Sequence, residues 1–346
     1  MDFNSGRVLV EKNADNHTEI ASMTKLMTSY VVYKEIERGN VALDDLVTIS
    51  ENAWRTGGSR MFLEPGMKVT VEDLIKGMVI QSGNDACVAL AEFLAGTEDA
   101  FAGVMNYYAE QLGMKDSHFV NSTGLPKEGQ YSTAHDVAIL SKAIIRDFPD
   151  HYAWYSEKEF TFNKIRQHNR NNLLWRDPAV DGLKTGHTDA AGYCLAASAK
   201  RDGMRLISVV MGAASEQARA NESQTLLNYG FRFFETVQLY KSGQELTQAR
   251  VWKGELDEVH LGIGEDMFVT IPRGRYDDLD AHLDMQPQLV APLTKGQEVG
   301  RIRVQLGDQL VTSAPLLSLE DVPPAGFFGR SWDGLKMWMG GLFSDD

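Results

Sequence analysis

The periodicity of apolar residues changes character near Glu235, and that change constrains the fold more than any other feature. Upstream, long stretches repeat apolar residues at helical spacing between polar caps and glycine stops. Downstream, 237–322 holds only short strand-like runs separated by Gly or Pro turns, at 249–253, 267–271, 298–306 and 310–314. One core does not accommodate both patterns, and 346 residues suffice for two. The spacing predicts an α+β domain over 1–235, a small all-β domain over 236–322, and a separate segment 323–346 opened by Pro323-Pro324.

Within the first domain, helices are predicted at 22–38, 71–81 and 85–94, the last capped by Asn84. A fourth begins after Thr97 and ends near Gly113, and a fifth runs from Ser132 or Thr133 to Arg146. A last helix, 216–234, carries Leu226, Leu227, Tyr229 and Phe233 on its apolar side. Strands flank this block: 7–11 after the turn Asn4-Ser5-Gly6, 159–165 by its period-two alternation, and 193–200 with 205–212 across Arg201-Asp202-Gly203. The expected fold is therefore an antiparallel sheet assembled from both ends of the domain, with helices packed on it.

A formal net charge of −14 without a basic cluster larger than Arg273-Gly274-Arg275 excludes nucleic acid as a partner. Cys87 and Cys194 lie in apolar runs and read as buried free thiols. There is no His-Glu-x-x-His zinc motif, no basic and apolar leader at the start, and no segment apolar enough to span a bilayer.

Chemistry is concentrated in three short motifs. Ser22-Met23-Thr24-Lys25 opens the first helix, so its serine and lysine share one face and an amine stands beside a hydroxyl. A Ser-x-x-Lys pair arises by chance in a chain of this size, and its weight comes from two further motifs downstream. Ser82-Gly83-Asn84 sits at a helix-to-helix turn where polar side chains can enter a cleft. Ser50-Glu51-Asn52 has the same spacing but no adjoining apolar helix, and reads as a surface turn. Lys184-Thr185-Gly186-His187 suits an edge strand along which a peptide can add, with Gly186 admitting close backbone approach.

These motifs, in this order, resemble the penicillin-binding serine acyltransferases, whose signatures are Ser-x-x-Lys, Ser-x-Asn and Lys-Thr-Gly. Gln81 to Ala86, Asn169-Arg170-Asn171, Gly182 to Asp189 and Thr270 to Arg275 are similar to the low-molecular-mass D-alanyl-D-alanine carboxypeptidases, along essentially the whole chain. The resemblance implies a penicillin-binding, β-lactamase-like fold and a cofactor-free reaction on peptidoglycan stem peptides, with β-lactams as covalent inhibitors. It implies Ser22 as the acylated nucleophile, Lys25 as its base, Ser82 as proton relay to the leaving D-alanine, and Asn84 as a ligand of the substrate amide. Lys184 would hold the field that keeps Lys25 neutral. Thr185 and Arg170 would bind the terminal carboxylate, beside Gly186, and the N–H groups of Ser22 and His187 would form the oxyanion hole.

Three other readings use the same residues. A D,D-endopeptidase would cut cross-bridges. A β-lactamase would need a glutamate to activate water, for which Glu159 and Asn163 have the spacing but sit in a strand-like alternation. A non-catalytic penicillin-binding scaffold would shape the wall by binding alone. On a helical wheel 327–343 gathers Phe328, Trp332, Leu335, Trp338, Met339, Leu342 and Phe343 on one side, which suits a peripheral anchor at the periplasmic face of a bacterial inner membrane. Relatives carry an export signal and most of a first strand before the position of Asp2, and 51–62 is shorter than the corresponding rim loop of some of them. Such a start would leave the sheet short of part of an edge strand, and the short loop would bear on deacylation and substrate reach.

Overall fold

Polar residues write the helix starts of the first unit. A computed structural model describes residues 1–326 and divides the chain into Met1–Arg232 and a second unit from Phe233 onward. In chain order the first unit holds α1 (Lys25–Glu37), β1 (Leu46–Thr48), α2 (Glu51–Arg55), β2 (Lys68–Thr70), α3 (Val71–Val79), α4 (Asn84–Ala95), α5 (Glu98–Gln111), α6 (Ala134–Asp147) and α7 (Pro149–Tyr152). It continues with β3 (Glu159–Phe162), β4 (Ile165–His168), α8 (Leu173–Arg176), β5 (Val180–Thr188), β6 (Gly192–Arg201), β7 (Met204–Ala213) and α9 (Glu216–Phe233). Thr70, Thr97 and Thr133 accept N–H bonds from Asp73, Ala100 and Asp136 at the starts of α3, α5 and α6. Ser50 does the same for Ala53, so the expected surface turn at 50–52 is instead the N-cap of α2.

β5, β6 and β7 form an antiparallel sheet with β5 at one edge. β6 and β7 close through Asp202 and Gly203, both at positive φ (48° and 84°), as the Asp-Gly signal requires. The N-terminus joins β7 by the Met1 N–H to Ile207 C=O and Phe3 N–H to Arg205 C=O bonds. The expected strand at 7–11 does not form: only Met1 to Phe3 lie along β7, and the chain turns away through the Asp2 N–H to Arg7 C=O bond. The expected strand 159–165 is a hairpin: its alternation runs through a turn at Asn163 and Lys164, both at positive φ.

The core of this unit fills the space between α1, α3, α4, α5 and α6 and the sheet. Leu26, Met27, Tyr33, Leu74, Met78, Cys87, Leu90, Phe101, Leu140 and Cys194 are all essentially solvent-free. Both cysteines are buried free thiols, as expected from their apolar neighbours.

The second unit is all β: β8 (Phe234–Tyr240), β9 (Glu245–Trp252), β10 (Glu258–Gly262), β11 (Met267–Pro272), β12 (Leu279–Met285), β13 (Leu289–Val290), β14 (Glu298–Leu306) and β15 (Gln309–Ser318). Six of them form a sheet in the order β12-β14-β15-β10-β9-β13, and β8 pairs β11. Alternate inward residues, Val259, Leu261, Val299, Ile302, Val304 and Leu316, make its interior. No helix among the described residues is long and apolar enough to cross a membrane. The proposed anchor segment 327–343 lies outside the described residues.

Candidate active site

Ser22 does not sit in the first helix. It lies in a 3-10 turn, Ala21–Thr24, and Lys25 is the first residue of α1. The tighter turn has three residues per repeat, so residues three apart eclipse one another more closely than they would in an α-helix. Lys25 Nζ accordingly stands 2.8 Å from Ser22 Oγ. It also donates to Asn84 Oδ1 at 2.7 Å and to the Thr123 C=O at 2.7 Å. The residue is 1% exposed. Burial lowers its pKa to about 8, opposed by Cys87 and Asp85 and helped by the Arg170 cation.

Ser82 occupies the turn between α3 and α4 with φ of 69°, a left-handed conformation that a β-carbon makes costly. Strain of this kind persists where surrounding contacts over-determine the position. Here Lys184 Nζ donates to Ser82 Oγ at 2.9 Å and to the Thr185 C=O at 3.1 Å. Lys184 is itself pushed well below the ordinary lysine range, by burial first and then by the Lys25 and Arg170 cations. The Lys25 pKa was expected to be lowered by burial and cationic neighbours, with Lys184 supplying the field. Burial does most of it, Arg170 contributes, and the two lysines share one desolvated site.

Asn84 was expected to cap α4, but its side chain bridges instead, accepting from Lys25 and donating from Nδ2 to the Gly57 C=O at 2.7 Å. Its neighbour Asp85 is buried and takes the N–H groups of Met61 and Leu63 at 3.0 and 3.1 Å. These two residues fix the rim loop 57–63 beside the serine. The hydroxyls, amines and Asn84 named from sequence thus fall into two linked groups, Ser22–Lys25–Asn84 and Ser82–Lys184.

Gly186 lies on β5 where an added Cβ would come within 2.8 Å of the Ile20 C=O, so the strand passes close behind the serine turn. Thr185 is buried beside Lys184. His187 is exposed and its ring stacks on Tyr193 at 4.0 Å, leaving only its backbone as a candidate ligand group. Arg170 stands exposed on a bend just past β4. Glu159 lies on the β3–β4 hairpin with its carboxylate bonded to Arg166.

Three site-building residues were given no role from sequence. Thr123 receives Lys25 through its carbonyl, on a turn whose Asn121 Oδ1 accepts from the Thr123 and Gly124 N–H groups. The Asn-x-x-Gly spacing was the available signal. Asp85 is the second. The third, Arg219 on α9, is 4% exposed and donates to the Gly186 C=O at 3.0 Å. Among the described residues there is no His, Cys, Asp and Glu cluster able to hold a metal.

Residues 1–215 match the model of the D-alanyl-D-alanine carboxypeptidase family, peptidase S11, and 234–324 match the C-terminal domain of penicillin-binding protein 5. The chain is 51% identical to the D-alanyl-D-alanine carboxypeptidase DacC of Escherichia coli (strain K12) over 99% of its own length and 89% of that protein's. It superposes on penicillin-binding protein 5 from Haemophilus influenzae with a TM-score of 0.90 and 45% identity, covering 93% of this chain and 96% of that one. A crystal structure of penicillin-binding protein D2 from Listeria monocytogenes in its ampicillin-bound form, 32% identical, covers 66% of this chain and 94% of that one with a TM-score of 0.62. By family model, identity and fold together, this chain belongs to the D-alanyl-D-alanine carboxypeptidases.

Proposed function

We propose that the chain removes the terminal D-alanine from peptidoglycan stem peptides, with Ser22 as the nucleophile. Neutral Lys25 takes the Ser22 Oγ proton as the oxygen attacks the carbonyl of the penultimate D-alanine. The resulting oxyanion is met by the backbone N–H groups of Ser22 and His187, each such donor contributing about 3 kcal/mol at the transition state. Ser82, whose Oγ accepts from Lys184 Nζ, relays the proton that Lys25 took from Ser22 to the departing nitrogen as the C–N bond breaks, which returns Lys25 to its neutral form. D-alanine leaves, and water then attacks the acyl-serine, releasing the shortened peptide and returning the proton to Ser22.

Arg170 and Thr185 hold the terminal carboxylate, Asn84 binds the substrate amide, and Lys184 supplies positive potential for that carboxylate. A β-lactam presents a carboxylate and a strained amide in the same relation, acylates the same serine and leaves slowly. The observation that carries this reading is the buried amine of Lys25 at 2.8 Å from Ser22 Oγ, lowered to about 8. The serine is thus given a base that loses its proton near neutral pH rather than at the 10.5 of a free lysine.

The activity belongs at the periplasmic face of the inner membrane on this reading, with 327–343 as the peripheral anchor by its sequence pattern. The test of the function is product analysis by mass spectrometry. The protein is incubated separately with a D-Ala-D-Ala pentapeptide, a cross-linked muropeptide and a β-lactam. Free D-alanine with a slowly released β-lactam adduct is the expected result. Cleavage of the muropeptide alone makes it an endopeptidase, fast β-lactam turnover a lactamase, and no turnover of any of them a binding scaffold.

A further inference from the structure

Residues 167 to 171 alternate strictly between buried carboxamides and exposed basic side chains. Gln167, Asn169 and Asn171 are 5%, 6% and 1% exposed, while His168 and Arg170 face solvent. The buried amides grip backbone carbonyls of three separate elements. Gln167 Nε2 donates to Arg60 C=O on the rim loop at 3.0 Å. Asn169 Nδ2 donates to the Tyr155 and Glu157 C=O groups at 3.2 and 3.0 Å. Asn171 Nδ2 donates to the Gly182 C=O of β5 at 3.0 Å, two residues before Lys184. One bond ties the two asparagines together, Asn171 N–H donating to Asn169 Oδ1 at 2.9 Å, and Asn171 Oδ1 accepts from Leu173 N–H at 3.1 Å at the start of α8.

Burying a carboxamide costs free energy unless its hydrogen bonds are made, and satisfying a carbonyl with a side chain rather than a strand ties one element to another. A hydrophobic residue would have filled these inward positions without any such tie. Arg170 is the residue held between the two asparagines, and its field reaches both Lys25 and Lys184.

We propose that Asn171, tied to Asn169, is a positioning residue: it sets the distance between the Arg170 guanidinium and the Lys184–Thr185 segment of β5, and so fixes the span across which a substrate carboxylate is held. This rests on the reading of Arg170 as a carboxylate ligand given above. Asn171 touches no substrate; it acts through Arg170.

The experiment is a double-mutant cycle on two substrates. One is a peptide ending in D-Ala-D-Ala. The other is the matching acyl-D-alanyl alkyl thioester, which has the same acyl half and no carboxylate on its leaving group. Asn171→Ala should raise KM for the peptide roughly 10-fold with kcat within about 2-fold, and leave the thioester within about 2-fold in both constants. In an Arg170→Ala background, adding Asn171→Ala should change the peptide KM by less than about 2-fold. Asn171→Asp keeps the acceptor for Leu173 N–H and loses the donor to Gly182, so it should show the same split if the alanine variant fails to fold. Equal losses on both substrates would overturn the inference, because they would mean that Asn171 merely shapes β5. Additive losses in the Arg170→Ala background would also overturn it. An Arg170→Ala enzyme with unchanged peptide KM would overturn the carboxylate reading itself, and this inference with it.

Discussion

Lys25 is a buried amine held by three oxygens, and its lowered pKa fixes how the rate must depend on pH. Burial disfavours the ammonium, so the neutral base is present at a lower pH than for a free lysine. β-Lactam acylation should therefore rise as pH climbs through about 8 and level off above it. Rapid-quench acylation rates across this range check it; a limb still rising steeply at pH values of about 10 would place Lys25 near its free value. Ser82 gives a second residue-scale prediction. Ser82→Gly and Ser82→Ala both lose the hydroxyl that Lys184 binds, but only glycine adopts a φ of 69° without strain. The glycine variant should be the more stable by about 1 kcal/mol in thermal unfolding, with both losing most activity. Alanine as the more stable of the two would contradict the strain. Ser22, Lys25, Ser82 and Lys184 were legible in sequence because their residue types and spacing carry the chemistry. Thr123 and Arg219 were not, because the first contributes a carbonyl that any residue has and the second acts from a helix distant in sequence.

Elements were legible where local chemistry decided them. Threonine caps at 97 and 133 and the Asp202-Gly203 turn placed helices and a hairpin to within a few residues. They were misread where a partner decided them. The alternation of Phe160 and Phe162 reads on into Ile165 because no glycine marks the turn at Asn163-Lys164, where a lysine at positive φ gives none of the signal expected there. The run at 7–11 has a strand pattern, but β7 pairs with the residues before it. The same dependence on neighbours makes Gly124 a sharp test of how the Thr123 turn meets the serine turn. Its φ is 80°, and an added Cβ would lie 1.8 Å from the Ala21 C=O, a backbone atom that cannot step aside. Gly124→Ala should displace the 3-10 turn bearing Ser22 and lower penicillin acylation at least ~100-fold, beyond the ~1–2 kcal/mol cost of the left-handed backbone alone. Near-normal labelling by this variant would show that the two turns are not in register as described.

At the scale of the molecule, an acidic chain of net charge −14 gathers Lys184, Arg170 and Arg219 in or around one site, a local positive potential that suits the carboxylate proposed as its ligand. The two-part architecture was readable from the change of apolar period near Glu235; the strand order of the second unit was not, since nothing local dictates that β10 pairs both β9 and β15. Ending the chain after Gly326 should abolish co-sedimentation with lipid vesicles and leave turnover of a soluble peptide unchanged. Retained vesicle binding would contradict the anchor, and lost turnover would make the segment structural. The central claim, that Ser22 is the acylated residue, is tested most directly by intact-mass analysis after exposure to penicillin, with peptide mapping of the product. A single adduct of the intact drug on the peptide containing Ser22, absent in Ser22→Ala, is the predicted result; an adduct that persists in that variant, or maps to any other residue, would contradict it.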